Sequence, residues 1–119
     1  MEKNPLEKRQ SPRKHIGYYT RVFDAVSGDQ LGNLGDVTTT GFMLIGNQRI
    51  EVPKTYKIKI ELSSDISRKG SLEILATSLW TRPDIDPSLQ NTGFKIAKIS
   101  TEDKAIILRI ISRYGIRDN

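Results

Sequence analysis

The chain has no cysteine, one histidine and one tryptophan among 119 residues. Without cysteine there is no disulfide scaffold, no thiolate metal site and no cysteine nucleophile, which suits a reducing compartment; the cytoplasm is the expected location. The lone His15 has no partner set for a metal centre or a catalytic base, and it is expected to cap the N-terminal segment or face solvent. No apolar run approaches the length needed to cross a bilayer, and Met1 to Arg9 is polar and charged where a secretory signal would be apolar. Membrane insertion is therefore not expected. No nucleophile–base pair, acid–base pair of carboxylates or metal-ligand cluster stands out, so neither catalysis nor a cofactor is expected.

What is present suits one water-soluble domain with a single core: 36% hydrophobic residues, 28% charged residues, and apolar positions too regular for disorder. The formal charge of +5 favours polyanions and nucleotides over cations. That charge is uneven. Residues 1–14 carry Lys3, Lys8, Arg9, Arg13 and Lys14 against Glu2 and Glu7, which leaves +3 in a segment with two prolines and no apolar periodicity. This segment reads as a flexible basic arm, followed by a folded domain over 15–119.

Within the domain, Ile16 to Phe23 is rich in aromatic and β-branched residues, Ser27-Gly28-Asp29 signals a turn, and Gln30 to Val37 continues as a second strand. Thr38 to Ile45 reads as a strand pair interrupted by Gly41, and Tyr56 to Leu62 alternates strictly, with Lys57, Lys59 and Glu61 on the wet face. Ser71 to Arg82 is a long strand ended by Pro83, and Thr92 to Ile99 is the last. Ser100 to Asp103 then reads as a helix N-cap with acids in the first turn, and Ala105, Leu108 and Ile111, with Ile107 and Tyr114 as further candidates, recur at helical spacing, which predicts a helix over about 101–114. The fold class expected is all-β with a C-terminal helix, a six-stranded antiparallel β-barrel.

Two local patterns bear on chemistry. Arg9-Gln10-Ser11-Pro12-Arg13 sets two guanidiniums four residues apart on a segment that Pro12 keeps from forming a regular helix; their planar forks suit phosphate oxygens or a guanine edge. Taken alone, such a pair is most often a solvated basic tail. Asp36-Val37-Thr38-Thr39-Thr40-Gly41 places a carboxylate, three hydroxyls and a glycine at a junction between strands. A carboxylate accepts from the guanine N1–H and N2–H2 donors, although, taken alone, the pattern is better explained by an ordinary Asp-initiated turn closed by glycine.

In this order the two patterns resemble the PilZ family, whose members carry an R-x-x-x-R arm followed some tens of residues later by a [D/N]-x-S-x-x-G turn. The resemblance extends over nearly the whole chain: Glu7-Lys8-Arg9, the Val52-Pro53 segment, Leu79-Trp80-Thr81-Arg82, Thr92-Gly93-Phe94 and the C-terminal helix all look like PilZ counterparts. It implies a split-barrel type of six-stranded β-barrel that binds cyclic di-GMP, a bacterial second messenger. By the same resemblance Arg9 and Arg13 meet phosphates and guanines, while Asp36, Thr38 and Gly41 meet a guanine edge. Thr38 stands where Ser is usual, adding a methyl and a stiffer χ1. Lys8 stands where many members have another arginine, which leaves open whether one ligand or a stacked pair is bound. Trp80 reads either as a stacking platform for guanine at the barrel rim or as core packing, and Arg82 reads either as a residue that approaches the ligand or, preferably, as a solvated strand end.

The function implied is that of a cyclic di-GMP receptor or adaptor whose arm changes conformation on binding and signals to a protein partner. Two alternatives remain: a PilZ-type protein-interaction module without nucleotide binding, and a barrel for single-stranded nucleic acid, to which Tyr18, Tyr19 and Trp80 would lend stacking surfaces. Both arginines and Asp36 are present, which disfavours the first, and nucleic acid is not the expected partner.

Overall fold

A computed structural model of the chain describes residues 20–114. Arg9, Arg13, Lys8 and His15 lie outside them, as do Tyr18, Tyr19 and the boundary expected between arm and domain. The described residues form six strands and one helix: β1 (Arg21–Asp24), β2 (Gln30–Val37), β3 (Gly41–Gly46), β4 (Lys54–Glu61), β5 (Ser71–Pro83), β6 (Gln90–Lys98) and α1 (Thr101–Tyr114). The strands close into an antiparallel barrel, as expected, and do so in the order β1-β2-β3-β6-β5-β4.

Alternating apolar residues fill the interior. Ile58 and Ile60 of β4, Leu72, Ile74 and Ala76 of β5, and Leu34, Leu44 and Val22 point inward, while Lys57 and Lys59 of β4 stay in water. Phe94 is the aromatic centre: Phe42 stacks on it with centroids 4.9 Å apart, and Tyr56 meets it edge-on at 6.0 Å. The buried hydroxyl of Ser78 donates to the carbonyl of Glu51 at 2.5 Å and accepts from the Lys54 amide at 3.0 Å, tying the β3–β4 connection to β5. One buried hydroxyl thus satisfies backbone groups that water cannot reach.

Two expectations need correction. Thr38 to Thr40 is not strand, because the Thr38 hydroxyl accepts from the amides of Thr40 and Gly41, both at 3.2 Å, and this local turn outcompetes the ladder until Gly41. The helix also faces differently from most of the expected stripe, of which only Ile107 is fully buried. Asp103, Ile106, Ile107 and Ile110 are buried, Ala105 is exposed, Leu108 is 52% exposed, and Ile111 is only partly covered. The seam contains a charged residue, and apolar periodicity alone finds only one of its members, Ile107.

That charge is explained by what lies beside the helix. Ser100 caps α1 through the Asp103 amide at 3.0 Å, and the Asp103 carboxylate accepts from Lys69 Nζ at 2.6 Å. Lys69 belongs to the β4–β5 connection, which runs antiparallel along α1. Arg109 donates to the Ile66 carbonyl at 2.7 Å, Arg113 to Asp65 at 3.1 Å, and Ser63 shares a hydrogen bond with the Tyr114 hydroxyl at 3.2 Å. Ile66 is buried within the same core as Ile106, Ile107 and Ile110. An apolar seam with polar contacts along it therefore clasps the helix to the barrel.

The clasp titrates at both ends of the pH scale. The Ser63 hydroxyl, with Arg113 beside it, holds the Asp65 carboxyl below its ordinary value of 3.8. The Asp103 carboxylate raises Lys69 above 10.5. A depressed acid stabilises the fold above its unfolded value and loses that contribution as pH falls through the folded one; for the raised lysine, the loss comes as pH rises above 10.5. Urea unfolding should thus show Asp65→Asn less stable than wild type near neutrality, with the two midpoints converging as pH falls below 3.8. A difference that persists unchanged into acid would remove the carboxylate from the clasp.

Candidate functional site

The outer wall formed by β2, β3, β6 and β5 gathers the sequence-predicted site residues that the structure describes. In β2, Leu34 points inward and strict alternation would send Asp36 inward too. Gly35 is instead an extra residue: Leu34 pairs with Leu44 and Asp36 with Met43, so the register slips by one and Asp36 turns outward. The same happens in β5, where Ser78 pairs with Phe94 and Trp80 with Gly93, leaving Leu79 as the bulge. Trp80 would otherwise follow Leu72, Ile74, Ala76 and Ser78 into the barrel.

These two slips put four residues in one transverse row: Asp36 pairs with Met43, Met43 with Gly93, and Gly93 with Trp80. At about 4.8 Å between neighbouring strands, the carboxylate and the indole stand roughly 14 Å apart across the wall. Trp80 lies flat over Gly93. A Cβ at Gly93 would fall 2.5 Å from Cζ2 and Nε1 of the indole, so only a residue without one leaves room. The guanidinium carbon of Arg82 sits over the ring, 4.6 Å from its centroid. Trp80 is therefore neither a core residue nor a bare platform, and Arg82 is more than a solvated strand end.

The Asp36 carboxylate, half-buried, accepts from the Val37 amide at 2.9 Å. Next to it, the hydroxyl of Thr38 is engaged inside the turn, and the Thr38 amide donates to the Gly41 carbonyl at 2.8 Å. Gly41 allows a close approach of strands, since a Cβ there would come 2.6 Å from the Phe94 carbonyl oxygen. The Thr40 carbonyl accepts from the Ile96 amide at 2.8 Å, pinning the turn to β6. Thr38 and Gly41 thus fix the shape of the turn, while Asp36 presents its carboxylate on the wall.

Sequence reasoning missed Met43 and Gly93, which floor the row, and Lys95, an exposed cation opposite Gly41. Alternation in β6 would have placed Gly93 and Lys95 on the same outer face, but pairing them with Asp36 and Trp80 needed the register. Thr20, the first described residue, joins this wall: its carbonyl accepts from the Leu34 amide at 2.9 Å, so the chain enters beside the strand that carries Asp36. Among the described residues no cluster of His, Cys, Asp and Glu suits a metal ion, and no helix is long and apolar enough to cross a membrane.

The closed six-stranded antiparallel barrel followed by one helix has the fold of a solved PilZ domain. The PilZ domain of YcgR from Escherichia coli, solved with c-di-GMP, superposes with a TM-score of 0.59 at 14% identity over 82% of this chain and 81% of that one. MotI/DgrA, the inhibitor of motility from Bacillus subtilis, gives a TM-score of 0.58 at 10% identity over 84% of this chain. The chain spans about half of MotI/DgrA, 48% of its length. No family model matches the sequence, and no curated protein matches it.

Because the Gly93 floor decides where the indole lies, Gly93→Ala should displace Trp80 while leaving the inward face intact. With a single tryptophan in the chain, the emission maximum and acrylamide quenching report this directly. Far-UV circular dichroism should stay unchanged. Unaltered emission would mean that the ring does not rest on β6.

Proposed function

We propose that the chain is a cyclic di-GMP receptor that passes its ligand state to a protein partner. The observation that carries this reading is the outward row of Asp36, Met43, Gly93 and Trp80, built by two bulges beside the point where the arginine-bearing segment enters. A purine stacked near the indole and a second guanine edge at the carboxylate would suit a ligand with two bases, and Lys95 supplies positive charge beside the row. Reach is sufficient. Arg13 precedes Thr20 by seven residues, which extended span roughly 23–25 Å, more than the width of the row. The solved YcgR domain holds c-di-GMP, which supports the same ligand for this barrel.

In this reading Arg9 and Arg13 clamp phosphates or guanine edges, Lys8 adds charge, and Asp36 accepts from a guanine. Thr38 and Gly41 hold the turn that aims Asp36. Closure of the arm over the dianion changes the surface offered to a partner, so ligand binding is converted into a protein contact. The work is done in the cytoplasm without a cofactor and without catalysis.

Calorimetry with cyclic di-GMP tests the reading, with linear GMP and an oligonucleotide of equal charge as controls. Ligand at a hundred times its dissociation constant should stabilise the fold by about 2.7 kcal/mol, visible as a higher Tm. Arg9→Ala or Arg13→Ala should weaken binding about ten- to a hundredfold, as expected for a charge-assisted bond of roughly 1.5–3 kcal/mol. Arg13→Lys should lose most of that too if the contact is bidentate. Asp36→Ala should weaken binding with the barrel still folded, whereas Thr38→Ser keeps the turn acceptor and should bind at least as well as wild type. A folded protein with no heat and no Tm shift at millimolar ligand would leave the interaction module as the better account.

A further inference from the structure

Two groups pack against the Trp80 ring. One is the Gly93 backbone, which leaves no room there for even a methyl group. The other is Arg82, whose guanidinium carbon stands over the ring, 4.6 Å from its centroid. A planar base that stacks on this indole therefore competes with Arg82 for the ring. We infer that Arg82 is a competing cap on Trp80: it holds the stacking position of the ligand's purine, swings off when the base seats, and thereby sets the affinity of the site. The inference rests on the ligand reading above.

The local sequence explains why the cap forms. Beyond the Leu79 bulge, Trp80 and Arg82 are two residues apart in β5 and share the outer face. A guanidinium is planar and weakly hydrated, so it stacks on an aromatic face where a lysine ammonium would stay in water. β5 pairs with β4 only as far as Ser78, which leaves this stretch with β6 as its neighbour and gives the Arg82 side chain freedom to move.

The displaced side chain has a destination. Arg82 stands opposite Asn91 in the ladder, and Asn91 Nδ2 donates to Asp84 Oδ1 at 3.2 Å, which fixes the amide orientation. Asn91 Oδ1 is then a buried acceptor without a hydrogen-bond partner among the described residues. A guanidinium that leaves the ring meets that oxygen and the Asp84 carboxylate across one strand spacing. There its charge is neutralised by Asp84 rather than by the ligand. One side chain thus has two arrangements, and a purine favours the second by taking its place in the first.

The test uses the single tryptophan as its probe. Without ligand, Arg82→Ala should make Trp80 more accessible to acrylamide. In calorimetry with cyclic di-GMP, the variant should bind about two- to fivefold tighter than wild type, the factor that loss of an exposed cation–π stack allows. Asn91→Ala should weaken binding by the wild type and have no effect in the Arg82→Ala background, because only a displaced guanidinium uses that acceptor. Equal affinities for wild type and Arg82→Ala, with both binding, would overturn the cap and leave the receptor reading standing. Weaker binding by Arg82→Ala would also overturn it, by making Arg82 a ligand contact. If neither protein binds the dinucleotide, cap and receptor reading fall together.

Discussion

Everything placed on the outer wall depends on two residues that have no partner of their own. A β-strand sends alternate side chains to opposite faces, and the core of a barrel enforces that alternation along its whole length. Gly35 and Leu79 each break it once, and each break turns a residue of the inward series out to the surface. Without the first, the Asp36 carboxylate would be driven into an apolar interior, where burying an unpaired charge is prohibitive. Without the second, the largest side chain of the chain would compete with Phe42, Tyr56 and Phe94 for the centre of a small barrel. The pairs Asp36–Met43 and Trp80–Gly93 fall in one row because both slips occur within the same four strands.

The molecule separates this wall from the seam that holds its helix. The clasp between α1 and the β4–β5 connection closes the barrel with Ile66, Ile106, Ile107 and Ile110, and with polar contacts at Asp65, Lys69, Arg109 and Tyr114. None of these residues belongs to the row of Asp36, Met43, Gly93 and Trp80. The β2–β3 turn is held by its own hydroxyl and by β6, so the wall is positioned by strand pairing while the helix secures the core beneath it. Changes to the wall can therefore alter recognition at little cost in stability.

Much of the architecture was legible because it follows from short-range periodicity. The strict alternation of Tyr56 to Leu62, the length of the Ser71 strand, its end at Pro83 and the Ser100 cap all emerge from residue type and spacing. The same logic failed wherever a distant contact decided the outcome. The helix buries Asp103 because Lys69, remote in sequence, meets it, and no helical periodicity reveals a charge on the core stripe. The two readings of Trp80 stayed balanced because a bulge at Leu79 leaves no local mark, and Arg82 looked like a solvated end because its partner is an aromatic ring rather than an acid. The resemblance in the turn pointed to Asp36, Thr38 and Gly41 together, while the hydrogen bonds divide them into one presented group and two that shape the turn.

The far half of β5 stands past the end of β4, so Leu79 to Pro83 forms a short open edge on an otherwise closed sheet. An open edge invites a strand from another molecule, and it is commonly guarded by a bulge, a charge or a proline. All three guards occur here in five residues, as Leu79, Arg82 and Pro83. The irregularity that aims the indole also spoils the template for intermolecular pairing. Deleting Leu79 would leave Trp80 opposite Gly93 and still outward, yet it would straighten β5 into a flat, adhesive margin through which copies of the chain could join edge to edge.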